Sequence, residues 1–239
     1  MLSIIIPTLN EEDHLGELLE SIHKQDFDNY EIIVADAGSK DKTLEIAKKH
    51  NCRITRGGLP AKGRNEGAKI AKGSLILFLD ADTILPEMVF AKVLREFKKR
   101  KLEIATFFLV PSGRKMMSKE VIGFTFLYNI PIFLMEKFLP HAAMGIMIKK
   151  KLFEKLNGFN EKITLAEDHD LARRAKKFGK FGILKSTKLY VSDRRFKKDG
   201  LLRTYSKYLL CEGHMIFIGP VEKNLFEYDF DRYSKNPKK

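Results

Sequence analysis

An acidic pair separated by one small residue is the feature of this sequence that most directly suggests chemistry. Asp80-Ala81-Asp82 follows the apolar run Leu75–Leu79, whose lack of alternation predicts a central strand buried on both faces. Two carboxylates one residue apart at a strand end can point to the same side. They suit Mg²⁺ or Mn²⁺, which bind through one or two carboxylates together with substrate phosphates. Alternatively, the second aspartate or the threonine after it only caps a helix that begins near Pro86, and the pair alone leaves both interpretations open.

The ends of the neighbouring predicted strands carry further polar residues. The strand over Ile4–Ile6 is followed by Pro7–Glu12, and the strand over Glu31–Ala35 is followed by Asp36–Ser39. Each segment is weak evidence by itself, because loops that lead into helices favour such residues as caps. Ligands of an open parallel sheet bind beyond the carboxyl ends of its strands. We therefore expect these segments to meet at one edge of the sheet and to form a site.

The elements that must position these residues alternate along the first hundred positions. Strands are predicted at Ile4–Ile6, Glu31–Ala35, Cys52–Thr55 and Ser74–Leu79, with helices at Glu11–Lys24, Lys42–His50, Ala61–Lys72 and Pro86–Arg100. This order predicts an α/β fold with a mostly parallel central sheet and helices on both faces. Later strands are predicted at Ile104–Val110, Ala142–Ile148, Phe181–Leu184 and Lys188–Val191, and later helices at Ser118–Leu139, Lys150–Leu156, Glu167–Phe178 and Leu201–Phe217.

The charge balance of the chain favours anionic partners. Lys and Arg number 44 against 31 acidic residues, which gives a net charge of +13. A nucleic-acid partner is disfavoured, because Trp is absent and the basic clusters alternate with acidic segments that a phosphate backbone would repel.

The two cysteines bear on the cellular compartment. Cys52 and Cys211 lack CxxC spacing and fit a reducing compartment. The N-terminus lacks the pattern of a signal peptide, so we expect a cytoplasmic protein.

An uncharged segment at Val121–Met135 suggests a membrane contact. Its 15 residues fall short of the roughly 20 that a helix needs to span a bilayer. One interpretation is a buried or partly buried helix. The other is an apolar surface that lies against the membrane, flanked by Lys115, Lys119 and Lys137. The second interpretation places the protein at the inner face of a membrane and makes a lipid-linked acceptor a natural partner.

A second acidic group opens the helix predicted at Glu167. Thr164 and Glu167 have the spacing of a capping box, with Thr164 at the N-cap. Helical spacing places Asp170 on a solvated face and Asp168 on an inward face, so Asp168 is the better candidate for a cleft. The basic residues that share the face of Asp170 are Arg173, Arg174 and Lys177, and the inward residues that share the face of Asp168 are Leu171, Ala172, Ala175 and Phe178.

The ordered segments of this chain resemble those of family 2 glycosyltransferases. The matching stretches are Ile5–Glu12, Ile33–Thr43, Gly63–Ala68, Leu77–Thr83, Gly158–Glu161 and Ala166–Leu171. The resemblance implies the GT-A fold, a Rossmann-like nucleotide-binding α/β fold, and an inverting glycosyltransferase that uses a nucleotide-diphosphate sugar. It implies one domain over residues 1–220, with a nucleotide-sugar half at 1–100 and an acceptor half at 101–220. Residues 221–239 would form a tail.

The resemblance also implies roles for individual residues. Asp36 would accept a hydrogen bond from the base, Arg64 would contact the diphosphate or base, and Asp80 would hold the ribose or sugar. Asp82 would bind the Mg²⁺ or Mn²⁺ that bridges the phosphates, and Asp168 would be the general base. The residues implied to complete the nucleotide-sugar pocket are Pro7, Thr8, Leu9, Glu11 and Gly38.

Several interpretations stay open at this point. Arg194 and Arg195 follow a predicted strand and either reach a diphosphate or phosphorylated acceptor, or form a basic surface turn. Ser112–Leu139 and Arg194–Gly200 are candidate lids over the site. A nucleotidyltransferase is disfavoured because Pro7–Asn10 contains no glycine to cradle a phosphate, and a binding protein without catalysis is a further alternative. The histidines are expected to be structural, namely His141, His169 and His214.

Overall fold

A computed structural model describes residues 1–111, 123, 129–192, 194 and 201–222. Strands and helices alternate through its first hundred residues, as the sequence predicts. The strands are β1 (Leu2–Thr8), β2 (Tyr30–Asp36), β3 (Arg53–Arg56), β4 (Leu75–Leu79), β5 (Thr83–Ile84), β6 (Ile104–Pro111), β7 (Gly145–Lys149) and β8 (Phe181–Val191). The helices are α1 (Leu15–His23), α2 (Thr43–Lys49), α3 (Pro60–Ile70), α4 (Phe90–Lys99), α5 (Ile130–Leu134), α6 (Lys150–Lys155), α7 (Glu167–Lys176) and α8 (Leu201–Phe217).

In the described part of the chain the strands form one mixed sheet in the order β3-β2-β1-β4-β7-β6-β8-β5. The first four are parallel, and Thr8 aligns with Asp36, which aligns with Arg56. The ends of β1, β2 and β3 therefore meet at one edge. Strand β7 runs antiparallel to both of its neighbours, so Gly145 at its start lies opposite Leu79 at the end of β4. The residues before β7 consequently reach the same edge as the residues after β4.

Helices cover both faces of this sheet, which confirms the predicted fold class. Ile4 and Ile6 of β1 pack on one face against α1 and α4, whereas Ile5 packs on the other face with residues of α3, α6 and α7. All three isoleucines are fully buried. Because burial of such a side chain contributes about 1.5–3 kcal/mol, this alternation of apolar side chains fixes the register of the central strand.

Several element boundaries differ from those that the sequence predicts. Helix α1 begins at Leu15 rather than Glu11, and the Glu11 carbonyl accepts the first helical hydrogen bond from the Leu15 N–H at 2.9 Å. Helix α4 begins at Phe90 rather than near Pro86, because Thr83–Ile84 pairs as a short strand with β8. The two short strands predicted at 181–184 and 188–191 form one strand, with a register shift where it pairs with β6.

Ten of the 22 residues of the helix predicted at Ser118–Leu139 lie outside the described residues. Its described part contains α5 and the residues beside it, where Leu134 and Met135 are exposed while Asn129 is buried and Ile132 packs against the core, so the described residues are compatible with both interpretations. Within the described part, helices are too short or too polar to cross a membrane. The candidate lids lie mostly outside the described residues, and the tail is described only at its first two positions. The division into two functional halves stays a prediction.

Candidate active site

A cavity of about 420 Å³ opens at the edge of the sheet where β1, β4 and β8 end and α7 begins. The structure brings most of the candidate residues together around it. The ones that line the cavity are Pro7, Thr8, Leu9, Glu11, Arg64, Asp80, Asp82, Asp168 and Arg194. Asp36 and Gly38 are not among the described residues that line it, and Arg195 lies outside the described residues. The sheet edge predicted from the strand ends is thus the wall of this cavity.

Arg64 ties two parts of the cavity wall together. Its guanidinium lies 2.6 Å from Asp80 after β4 and 2.5 Å from Glu167 at the start of α7, and the Arg64 side chain is only 6% exposed. Burial lowers the pKa of this guanidinium, but the two carboxylates outweigh burial and raise it. Arg64 is therefore charged, and it neutralises Glu167, which is buried, and Asp80, whose side chain is 25% exposed.

Helix α7 does not begin with the predicted capping box. The N-cap is Ala166, which has a left-handed backbone with φ of 64°, and no side chain of the described residues caps it. Thr164 instead pairs with Val221, whose carbonyl accepts hydrogen bonds from the Thr164 N–H at 3.0 Å and its hydroxyl at 3.3 Å. Glu167 is thereby released from the helix end and turns to Arg64. The capping prediction was wrong because a tertiary contact sets the backbone here.

Asp168 faces the cavity, as helical spacing predicts. The His169 N–H donates to its Oδ1 at 2.9 Å, and burial raises the pKa of the Asp168 carboxyl against the opposing charges of His169 and Arg64. A raised pKa makes a carboxylate a better proton acceptor near neutral pH. Leu171, Ala172 and Ala175 are buried on the same face.

Two neighbouring predictions on α7 need correction. Phe178 is 54% exposed rather than inward, because the helix ends at Lys176. The face of Asp170 is less solvated than expected. Arg174, which was predicted to share this face, pairs with Asp170 at 2.7 Å, and the Asp170 side chain is only 14% exposed. Arg173 pairs with Glu212 of α8, and its side chain is 20% exposed.

Arg194 lies inside the cavity rather than on a basic surface turn. Its guanidinium contacts the Glu11 carboxylate at 2.9 and 3.1 Å and reaches the Asp82 carboxylate at 3.1 Å. Burial raises the pKa of Glu11, and the hydrogen bond and charge of Arg194 oppose that effect. The position between Glu11 and Asp82 thus attracts a cation.

The donor set at this position fits a divalent metal. Asp82 offers carboxylate oxygens at the cavity wall, and its side chain is 10% exposed. Asp80 lies beside it, with Oδ1 already bonded to Arg64. Hard oxygen donors with space for phosphate oxygens are what Mg²⁺ and Mn²⁺ require. Asp82 is therefore the residue that would hold such an ion. Asp80 already uses its Oδ1 oxygen to accept a hydrogen bond from Arg64.

Asp36 organises the turn after β2. Its carboxylate accepts hydrogen bonds from the Thr8 hydroxyl at 3.0 Å, the Gly38 N–H at 2.9 Å and both the N–H and hydroxyl of Ser39. Gly38 has a φ of 96°, a conformation that L side chains rarely adopt. Both residues shape the rim next to Thr8. A role in contacting the base stays a prediction.

Sequence reasoning missed a group of side chains at the wall of the cavity that lies beside α7, away from the ends of β1 and β2. His141, His169 and Glu212 converge there, and His169 Nδ1 lies 3.0 Å from Glu212 Oε2. Both histidines line the cavity, although the sequence suggested only structural roles for them. His214 does pack locally, with Nδ1 2.9 Å from the Gly219 carbonyl. Residue spacing held no signal for this convergence, because Glu212 comes from α8, 43 positions after His169.

Comparisons with known proteins agree with this geometry. The model of glycosyl transferase family 2 matches residues 3–156, which is more than half of the chain. A poly(ribitol-phosphate) beta-N-acetylglucosaminyltransferase, TarS of Staphylococcus aureus, is 40% identical over 90 residues. That match covers 34% of this chain and only 16% of TarS.

Solved structures show the same fold. TarS residues 1–349 in complex with UDP-GlcNAc superpose with a TM-score of 0.67 at 21% identity, covering 90% of this chain and 73% of that one. A mannosyltransferase of Pyrobaculum calidifontis in complex with GDP-Man and Mn²⁺ gives a TM-score of 0.61 at 22% identity. The superposition covers 76% of this chain and 53% of the mannosyltransferase. The sheet edge, the cavity and the family match lead to one assignment: this chain belongs to glycosyltransferase family 2 and has the GT-A fold.

Proposed function

We propose that this protein transfers a sugar from a nucleotide-diphosphate sugar to an acceptor hydroxyl or lipid phosphate, with inversion at the anomeric carbon. The observation that carries the proposal is the shared cavity of Asp82 and Asp168. One carboxylate follows β4 and the other opens α7, so a donor held at the first would present its sugar toward the second. This arrangement supports the predicted halves, with the donor bound mainly by residues 1–100 and the acceptor by residues 101–220.

The donor half would bind the nucleotide diphosphate at the strand ends. Pro7, Thr8 and Leu9 offer the wall next to the base and ribose, while Asp36 and Gly38 shape the rim behind it. Asp82 would hold Mg²⁺ or Mn²⁺, which when bound supplies positive charge to the departing diphosphate. The P. calidifontis neighbour was solved with GDP-Man and Mn²⁺ and TarS with UDP-GlcNAc, which supports a nucleotide-sugar donor.

Arg194 and Arg64 would neutralise the carboxylates at the strand-end side of the cavity. Arg194 neutralises Glu11 and Asp82 and lies where it can turn to a diphosphate oxygen. We propose the same target for its neighbour Arg195. Arg64 is held by Asp80 and Glu167, so its contribution is to keep both carboxylates in place rather than to swing toward the ligand.

Asp168 would act as the general base. As the acceptor oxygen attacks the anomeric carbon, its proton passes to the Asp168 carboxylate, the bond from that carbon to the diphosphate oxygen breaks, and the nucleoside diphosphate leaves. Attack from the face opposite to the leaving group inverts the configuration. Burial raises the pKa of Asp168, which suits it to receive that proton.

The acceptor is proposed to be lipid-linked, at the inner face of a membrane in the cytoplasm. Phe133, Leu134 and Phe138 are exposed on and after α5, and Lys137 lies among them. Lys185 Nζ lies 4.7 Å from the ring centre of Phe133, which places a second cation at this apolar surface. Apolar side chains next to lysines are typical of surfaces that bind anionic membranes.

A transfer assay tests the proposal. The protein is incubated with Mn²⁺, a panel of UDP- and GDP-sugars, and either a polyprenyl phosphate in vesicles or simple glycosides. We expect one donor to be consumed with formation of a glycosylated acceptor, and the anomeric coupling in the NMR spectrum of the product to show inversion. A product with retained configuration, or release of free sugar at the same rate with and without every acceptor, would contradict the proposal.

A further inference from the structure

The three converging side chains at the cavity wall beside α7, His141, His169 and Glu212, form what we call the histidine–glutamate cluster. One ligand atom from each residue lies within 4.8 Å of those of the other two. His141 precedes β7, His169 is in the first turn of α7, and Glu212 is in α8. Three separate elements of the fold therefore deliver two imidazoles and one carboxylate to the same point.

A hydrogen bond from Arg173 orients the carboxylate of the cluster. Arg173 donates to Glu212 Oε1, which leaves Oε2 directed at the histidines. That second oxygen lies 3.0 Å from His169 Nδ1 and 3.9 Å from His141 Nδ1. The two imidazole rings are close, with centroids 3.6 Å apart. The side chains are largely shielded from solvent, with exposures of 14% for each histidine and 20% for Glu212.

We propose that this cluster binds a transition-metal ion of the zinc class. Two imidazole nitrogens with one carboxylate oxygen are a ligand set that Zn²⁺ takes in proteins, whereas Mg²⁺ prefers oxygen donors alone. Metal–ligand bonds of about 2.0–2.2 Å in a tetrahedral site place ligand atoms roughly 3.3–3.5 Å apart. The separations of Glu212 Oε2 from the two histidine nitrogens, 3.0 and 3.9 Å, bracket that range, and all three ligand atoms lie within 4.8 Å of one another, so small side-chain rotations would complete the site.

The surroundings of the cluster match those of known metal ligands. Ligating carboxylates are usually fixed by an outer hydrogen bond, and the contact from Arg173 to Glu212 is of that kind. The site uses different side chains from the position of Asp82, where the donors are oxygens. Three protein ligands leave one coordination position of a tetrahedral ion free, and both histidines line the cavity, so that position would face the cavity.

The position of the cluster suggests its use. His169 presents Nδ1 to Glu212 at 3.0 Å and Nε2 to Asp168 Oδ1 at 3.7 Å, so its imidazole would lie between the metal and the proposed base, and the free coordination position would face the cavity that Asp168 also lines. A hydroxyl or phosphate oxygen of the acceptor is the ligand that this placement favours, because a metal ion lowers the pKa of an oxygen bound to it. This use rests on the proposed function, whereas the metal site itself does not.

Zinc binding to the purified 239-residue chain tests the site without any assay of transfer. After chelator treatment, Zn²⁺ is titrated by equilibrium dialysis, and Co²⁺ is added in parallel to record the visible spectrum of a tetrahedral nitrogen–oxygen site. We expect one tight equivalent of Zn²⁺ in the wild type and in Asp82→Ala. His141→Ala and Glu212→Gln should bind at least about 100-fold more weakly, since loss of outer-shell partners alone costs about 10–100-fold.

A matched control separates the cluster from ordinary histidine binding. His23 and His50 also stack, with ring centroids 5.4 Å apart, at a place remote in sequence from the cluster. His50→Ala should bind Zn²⁺ as the wild type does. Tight zinc binding that survives His141→Ala and Glu212→Gln, or a wild type that neither binds Zn²⁺ nor shows the Co²⁺ spectrum, would overturn the proposal. Zinc binding without sugar transfer would retain this site and remove the proposed function.

Discussion

The guanidinium of Arg64 lies 2.6 Å from the carboxylate of Asp80, and its other nitrogen reaches Glu167, 103 positions away in the chain. Removal of Arg64 would leave the buried Glu167 carboxylate and the partly buried Asp80 carboxylate without this cation. We expect Arg64→Ala to lower the free energy of unfolding by about 3–5 kcal/mol, the cost of breaking a buried pair. Chemical denaturation at neutral pH measures this change.

Two further variants control that prediction. Arg53 pairs with Glu31, but its side chain is 39% exposed, so Arg53→Ala should cost no more than about 1 kcal/mol. Adding Glu167→Gln to Arg64→Ala should restore part of the lost stability, because one unpaired charge is removed. A loss below about 1 kcal/mol for Arg64→Ala would show that the carboxylates find other partners.

Asp168 and Asp170 offer a direct comparison, because they lie on one helix with similar exposure, 16% and 14%, while Asp168 lines the cavity and Asp170 pairs with Arg174. We expect Asp168→Asn to reduce kcat about 10²–10⁴-fold, the usual contribution of a general base. Nucleotide binding should be retained, since the donor site lies on the strand ends. Asp170 pairs with Arg174, and Asp170→Asn should keep kcat within about threefold of the wild type. Equal losses in both variants, with equal loss of stability, would remove the base assignment.

The acid side of the pH–rate profile should report the same carboxyl. Burial raises the pKa of Asp168 above that of an ordinary aspartate. The base works only when deprotonated, so activity should fall as the pH drops through this raised pKa, above the usual value of about 3.9. The profile of kcat/KM measures it, and the residual activity of Asp168→Asn should lack this limb. A limb at pH 4 or below in the wild type would contradict the assignment.

Gly67 tests the packing of α3 against β1, and Gly213 serves as a control at an open position. Gly67 in α3 faces β1, and an added Cβ would lie 2.4 Å from Ile5 Cγ2. We expect Gly67→Ala to destabilise the protein by about 1–3 kcal/mol, the usual cost of overpacking. Gly213 lies in α8 with no described atom within 4 Å of an added Cβ, so Gly213→Ala should stabilise by about 0.5–1 kcal/mol. Thermal unfolding of both variants measures the difference in sign.

The sequence predicted the donor side of the site better than the acceptor side, for a physical reason. The residues after β1 and β4 meet because parallel strands end at the same edge, and apolar runs reveal those strands. The direction of β7 cannot be derived from its own residues, and it is this direction that brings His141 to the cavity. The contact between Thr164 and Val221, which displaces the capping box, likewise depends on the tertiary fold.

The central claim is that the strand ends bind a nucleotide diphosphate through a metal on Asp82, and calorimetry tests it most directly. UDP and GDP are titrated into the wild type and Asp82→Ala, with and without Mn²⁺. The account predicts that one nucleotide binds the wild type only with Mn²⁺ and that Asp82→Ala loses this binding while remaining folded. The claim would be contradicted by nucleotide binding that is the same with and without Mn²⁺ and is retained in Asp82→Ala. It would also be contradicted if neither nucleotide bound the wild type under any condition.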